Sequence, residues 1–223
     1  MLIHKIKNLL KLNHTLEKYS RESFYIFLKI KRIVLLSSKS NKSIFEKYYN
    51  ENSWGNSESL SGPGSTIKNT KYVRQILEDV IKKYGIESMV DSPCGDFNWM
   101  KLVDFHNTKY LGYDIVGKII DDNNKKYSSK LKVFKELNII KNKPHKSDLI
   151  FCRDALVHFS NKDIKTTVSN FKKSNSKYLL TTTFPNINNN KWIKTGMWRP
   201  LNLTKQPFNF PKPIEMFRES KEK

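Results

Sequence analysis

Five short apolar runs recur along the chain at intervals that leave room for a helix between most of them. They are IESMV (86–90), KYLGYDIV (109–116), KLKVFKELNI (130–139), DLIFC (148–152) and KYLLTTTF (177–184). Several are apolar throughout rather than alternating, the pattern of strands buried on both faces. Between them lie segments with helical spacing. Val73, Ile76, Leu77, Val80 and Ile81 repeat that spacing up to Gly85, a helix stop. GKIIDDNNKKY (117–127) follows the second run. SNKDIKTTVSNFKKS (160–174) follows the fourth and opens with Ser160 and Asp163 in capping-box spacing. Trp99, Met100, Leu102 and Val103 predict one more helix after the first run. Strands alternating with helices imply an α/β doubly wound, mostly parallel sheet.

The chain has 223 residues, enough for one domain and an appendage. Residues 1–44 form the appendage, a basic amphipathic helical arm, and 45–223 the main domain. In the arm, Ile3, Ile6, Leu9, Leu10 and Leu16 lie near helical spacing, and FYIFLKIKRIVLL continues the pattern. Lys29, Lys31 and Arg32 interrupt that run, so it is too short and too charged to span a bilayer. It also lacks the order of a signal peptide. Packing on the domain or a partner is one reading of the arm, and attachment to a membrane surface is the other. Cys94 and Cys152 are the only cysteines, too few for a disulfide framework, which points to a reducing, cytoplasmic compartment.

A net charge of +20 raises nucleic acid as a partner. The make-up of that charge argues against it. Only six of the 41 basic residues are arginine, the side chain best suited to planar phosphate and base contacts. The rest is lysine amid many Asn and Ile, a surface bias with no chemical target.

DSPCGDFNWM (91–100) stands directly after the first run. In a doubly wound sheet, ligands sit outside the carboxyl ends of the strands, near the reversal of strand order. A glycine there lets the backbone approach a ligand, and the N–H groups of a following helix are available to donate. The second run ends near Asp114, 23 residues beyond Asp91. That resembles the separation of about 20 residues between a glycine turn and a ribose-binding acid.

VDSPCGDFNWM, YLGYDIV and DLIFCRDALVHFS, in this order, resemble motifs of the class I S-adenosylmethionine-dependent methyltransferases. More narrowly, SGPGS, PCGDFNWM, CRDxLVH, LLTTTFP and WRPLNL together resemble a family of small bacterial and large-virus methyltransferase domains found in glycan-building settings. The likeness covers residues 45–213 and implies a Rossmann-like fold with S-adenosyl-L-methionine as cofactor. It implies that Asp91, Cys94, Gly95 and Asp96 line the methionine end of that cofactor and that Asp114 holds the ribose. SGPGST (61–66) and Arg74 would close over the cofactor or substrate. The broader class has three glycines in its first turn; here Pro93 and Phe97 take the outer two places, as in the narrower family. Asn138 stands where an aspartate would read the adenine amino group, and its carbonyl oxygen can still accept. Domains of the class end in two further strands, one antiparallel. Here PIEMF is the last candidate strand and has no hairpin partner. A partner chain covering that sheet edge and a shortened copy are the two readings.

Methyl transfer to a hydroxyl needs an acceptor held in line and its proton removed. Arg153, Asp154 and His158 follow the fourth run. On one helical turn, Asp154 and His158 at i and i+4 would share a face, the imidazole as base and the carboxylate as its orienter. Arg153 would bind a carboxylate of the substrate or cofactor. Trp198 and Arg199 are candidates for an acceptor wall, since aromatic faces suit sugar rings. No histidine has companions at metal-ligand spacing; a magnesium ion on Asp154 and another acid is the one competing reading. The function expected is O-methylation of a small-molecule, sugar or glycan acceptor. Two alternatives stand beside it: nucleic-acid methylation, and an inactive methyltransferase-fold binding module. The Asn/Asp-Pro-Pro-aromatic tetrapeptide of many base-methylating enzymes is absent.

Overall fold

The computed structural model describes residues 21–36 and 38–219, in two compact units divided between Lys39 and Ser40. In the smaller unit, residues 21–36 form one helix, α1. The leucines and isoleucines expected to make residues 3–16 helical lie outside the described residues. The larger unit begins with α2 (Asn41–Asn50), capped by the Ser40 hydroxyl accepting from the Ser43 N–H. This helix straddles residue 44, so the whole of it belongs to the main domain. No helix among the described residues is long and apolar enough to cross a membrane.

Five strands follow: β1 (Ser88–Asp91), β2 (Lys109–Asp114), β3 (Lys132–Glu136), β4 (Leu149–Cys152) and β5 (Tyr178–Thr181). All pair in parallel, in the order β3-β2-β1-β4-β5. The expected doubly wound, Rossmann-like sheet is therefore present, with its reversal of strand order between β1 and β4. α3 (Lys71–Lys83) precedes β1, α4 (Gly117–Tyr127) joins β2 to β3, and α5 (Asn161–Lys173) joins β4 to β5. Ser160 caps α5, its hydroxyl accepting from the Asp163 N–H.

Period-two alternation splits the core across the sheet. Met89, Leu149 and Phe151 share one cluster with Leu77 of α3 and Ile120 of α4. Val90, Ile150 and Cys152 share the other with Ile164 and Phe171 of α5. Gly112 in β2 is closely packed, because an added Cβ would lie 2.7 Å from the Phe134 ring.

Two expectations about elements need correction. The helix read at Trp99–Val103 is only a short 3-10 turn, Met100–Leu102, so β1 passes to β2 without an α-helix. Phe97, Trp99 and Met100 are all buried. Residues two apart on a helix point about 200° apart, so one helix could not send both rings inward. The chain instead turns through a left-handed Phe97 (φ 56°), whose ring meets Tyr110, Tyr127 and Phe134. Trp99 packs edge-on against Phe151. The second correction concerns PIEMF (213–217), which is not a strand. Ile214, Met216 and Phe217 are exposed, and Glu215 pairs with Lys83 of α3.

Candidate functional site

The turn after β1 is built from backbone bonds. Ser92 N–H donates to the Phe151 carbonyl at 2.9 Å, tying the turn to β4. Cys94 N–H donates to the Tyr113 carbonyl at 2.7 Å, tying it to β2. Gly95 is left-handed (φ 56°), and its N–H donates to Asp114 Oδ2 at 3.1 Å. The other Asp114 oxygen accepts from Val116 N–H at 3.0 Å. Asp114 is buried at the carboxyl end of β2, and that burial raises its pKa to about 6 despite the N–H donors.

Two of the expected ligand side chains are turned inward. Asp91 is buried beneath the turn, accepting from the Tyr110 hydroxyl at 2.6 Å. Burial lifts its pKa to about 8, with the Asp114 charge adding and the Tyr110 hydroxyl opposing. Cys94 is also buried, its Cβ packed against Gly112 in β2. Burial pushes its thiol well up, so it stays protonated and inert. Both support the turn's shape rather than present themselves as ligands.

Asp96 has a different task. Its carboxylate accepts from Leu60 N–H at 2.8 Å and from the hydroxyls of Ser59 (2.9 Å) and Ser61 (3.3 Å). In return, Asp96 N–H donates to Ser61 Oγ at 3.2 Å. The Asn98 amide reaches Glu58 and the Ser65 carbonyl at 2.8 and 3.2 Å. These bonds fasten residues 58–66, which hold the SGPGST loop, as a strap over the turn. The fit leaves no slack, since a Cβ on Gly95 would lie 2.3 Å from Ser61 Oγ. A cleft lined by Tyr49, Leu60, Asp96, Asn98, Asp122 and Asn123 opens beside the strap.

From Asp96 the strap crosses toward β4. Its Gly64 carbonyl accepts from Arg153 at 3.0 Å, and Gly64 lies against the Asp154 carboxylate. Arg153 stacks over Trp99, 5.5 Å from the ring centroid, stands 3.4 Å from Asp154, and also pairs with Glu219. Closer to its start, Gly62 touches Trp54, whose ring stands edge-on to His158 at 6.1 Å. The strap thus meets Arg153 and Asp154 directly, and Trp54 links it to His158. Arg74, by contrast, donates to the Ile67 carbonyl and to Thr70, and secures the strap's exit instead of closing over a ligand.

Asp154 and His158 do not share a helical face. Asp154 is left-handed (φ 51°) and outside the 3-10 turn Leu156–His158. The orienting partner of His158 is the Met197 carbonyl, 3.1 Å from Nδ1. A carbonyl only accepts, so Nδ1 carries the proton and the lone pair of the neutral ring lies on Nε2. Met197 is placed by the chain segment beside the turn: Gly196 N–H donates to the His158 carbonyl, and Arg199 N–H to the Val157 carbonyl.

Arg199 is not at an acceptor wall. It is 3% exposed and donates to the carbonyls of Val157 and Phe159 and to Asn161 Oδ1. Burial lowers its pKa to about 10. Trp198 points outward, 56% exposed, edge-on to Phe184. Asn138 follows β3 and uses its Oδ1 to accept from Ile140 N–H at 3.0 Å, shaping the local turn. No three His, Cys, Asp or Glu side chains among the described residues cluster as metal ligands.

Several contributors escaped the sequence reading: Trp54, Ser59, Leu60, Ser92, Asn98 and Met197. Met197 acts through its carbonyl and Leu60 through its N–H, so no residue type marks them. Ser92 is 1% exposed at the reversal between β1 and β4, and its hydroxyl has no partner among the described residues. The Gly, Ser and Pro density of SWGNSESLSGPGST (53–66) predicts a loop, and serine hydroxyls are natural partners for an acid such as Asp96.

No protein-family model matches the chain, and no curated protein matches it. Solved structures do. Magnesium protoporphyrin IX methyltransferase (ChlM) from Synechocystis PCC 6803 with bound SAM is 16% identical, over 66% of this chain and 78% of that one, with a TM-score of 0.49. The same enzyme with bound SAH matches at 14% identity over 54% and 58%, with a TM-score of 0.45. The N-methyltransferase NodS from Bradyrhizobium japonicum WM9, in complex with S-adenosyl-L-homocysteine, is 12% identical over 57% and 67%, with a TM-score of 0.45. The chain thus spans less than two thirds of the ChlM structure with SAH.

Proposed function

We propose that the chain is an S-adenosylmethionine-dependent methyltransferase that methylates a hydroxyl of a sugar or glycan precursor. One observation carries the reading: the Asp114 carboxylate, buried at the end of β2, accepts the N–H of a left-handed Gly95 in the turn after β1. That pairing brings an acid with ribose-accepting chemistry against the backbone of a glycine turn. The local chemistry fits an adenosyl cofactor in one further way: the buried Ser92 hydroxyl at the strand reversal has no partner among the described residues. Asp114 and the backbone around Gly95 would hold the cofactor, with Asn138 beyond β3. When bound, it supplies an electrophilic methyl group on a sulfonium.

The chain's own residues do the rest. His158, with Nδ1–H held by Met197, offers Nε2 as the base that takes the acceptor's hydroxyl proton. Arg153 fixes the strap beside the carboxyl ends of the strands through the Gly64 carbonyl. The exposed Trp198 and the half-buried Trp54 provide aromatic faces for a sugar ring. Arg199, committed to carbonyls, adds no charge toward an acceptor, which agrees with an uncharged polyol.

The first test is calorimetric titration with S-adenosylhomocysteine, with Asp114→Ala as control. Micromolar binding lost in the control is the expected result, and no binding by the folded chain would overturn the reading. Labelled methyl transfer to a panel of sugars and RNAs then identifies the acceptor. His158→Gln should lower kcat by about 10²–10⁴-fold while leaving S-adenosylhomocysteine affinity unchanged.

A further inference from the structure

The strongest feature outside the candidate site is α1. In α3 the apolar stripe is buried, with Leu77 fully so. In α1, Phe24, Ile26, Phe27, Ile30, Val34 and Leu35 are each between 55% and 63% exposed. At about 100° per residue these six fall within one half of the helix surface. The opposite arc carries Arg21, Lys29 and Arg32 beside the exposed Tyr25 and Leu28, and Lys31 interrupts the apolar half on a stem long enough to lift its charge out. The 16 described helical residues rise about 24 Å, short of the roughly 30 Å hydrocarbon core. The described residues of α1 suit a position in the membrane interface.

What covers this face is decided by charge. The chain carries +20, so a second copy would bring like charge to a helix already rich in cations. An anionic lipid surface accepts both halves of α1, the apolar arc among the acyl chains and the cations among the headgroups.

We propose that α1 is an in-plane anchor that docks the protein on anionic membranes. The anchor belongs to a compact unit of its own, and docking is independent of the methyltransferase reading.

Flotation of the full chain with vesicles tests it, using phosphatidylcholine alone and phosphatidylcholine mixed with a minority of phosphatidylglycerol. Binding should be at least about tenfold stronger to the anionic vesicles and should fall with added salt. Phe27→Glu with Ile30→Glu should abolish it, with unchanged thermal unfolding showing the main domain intact. Lys29→Gln with Lys31→Gln keeps the apolar arc and should weaken the preference for anionic lipid, since only Arg21 and Arg32 of the α1 cations remain. Equal binding to both vesicles, or binding to neither, overturns the proposal. So does self-association lost in Phe27→Glu without vesicle binding, which would make a second copy the occupant.

Discussion

Asp91 and Asp114 give the site its pH dependence. Both pKa values are raised by burial, to about 8 and about 6. The native state therefore holds these protons more tightly than the unfolded chain, whose carboxylates titrate near 4. Stability from each is fully present below about pH 4 and is lost as pH rises through the folded value. For Asp91 the loss runs from about pH 4 to about pH 8, at roughly 1.4 kcal/mol per pH unit. Thermal unfolding across that window should show it, and Asp91→Asn, which keeps a partner for the Tyr110 hydroxyl, should flatten the slope. Asp114 acts on binding in the opposite sense: S-adenosylhomocysteine affinity should fall below about pH 6, where the protonated acid loses acceptor capacity. Calorimetry on either side of that pH checks it. Arg199 is a residue whose part is structural. Arg199→Met strands the carbonyls of Val157 and Phe159 and should cost roughly 1–3 kcal/mol in denaturant unfolding. Lysine should not rescue it, because one ammonium cannot reproduce the forked contact.

Among the elements, the strap concentrates the consequences. Asp96→Ala removes the acceptor for three donors of the strap and should raise amide exchange over residues 58–66 by about tenfold or more. Exchange in β1 and β4 should stay as it was. The alternation of apolar runs with helical stripes made the sheet readable, because a strand buried on both faces reads as an apolar run, as LIFC (149–152) does. The 3-10 turn was not readable. Trp99, Met100, Leu102 and Val103 have helical spacing, and only the joint burial of Phe97 and Trp99 rules a helix out. The site was partly readable for a similar reason. Asp114 sits at a strand end that the pattern locates, whereas the Asp154–His158 pairing assumed a helical face. That face does not exist, because Asp154 is left-handed. The Met197 carbonyl that orients His158 comes from a segment 39 residues away, beyond any local pattern.

At the scale of the whole molecule, two compact units meet between Lys39 and Ser40. A chain beginning at Ser40 should therefore fold alone and keep the same unfolding midpoint as the full chain. Its vesicle binding should vanish. The strap imposes an order on how such a chain matures. Its partners lie far off in sequence, 36 residues for Leu60 with Asp96 and 89 for Gly64 with Arg153. Contacts of that separation form after local ones, because the loops they close cost entropy before any contact repays it. The crevice at the strand reversal is then incomplete until both the β1–β4 pairing and the strap have formed, and a half-folded chain displays no finished candidate site. Competence to bind becomes a readout of completed folding.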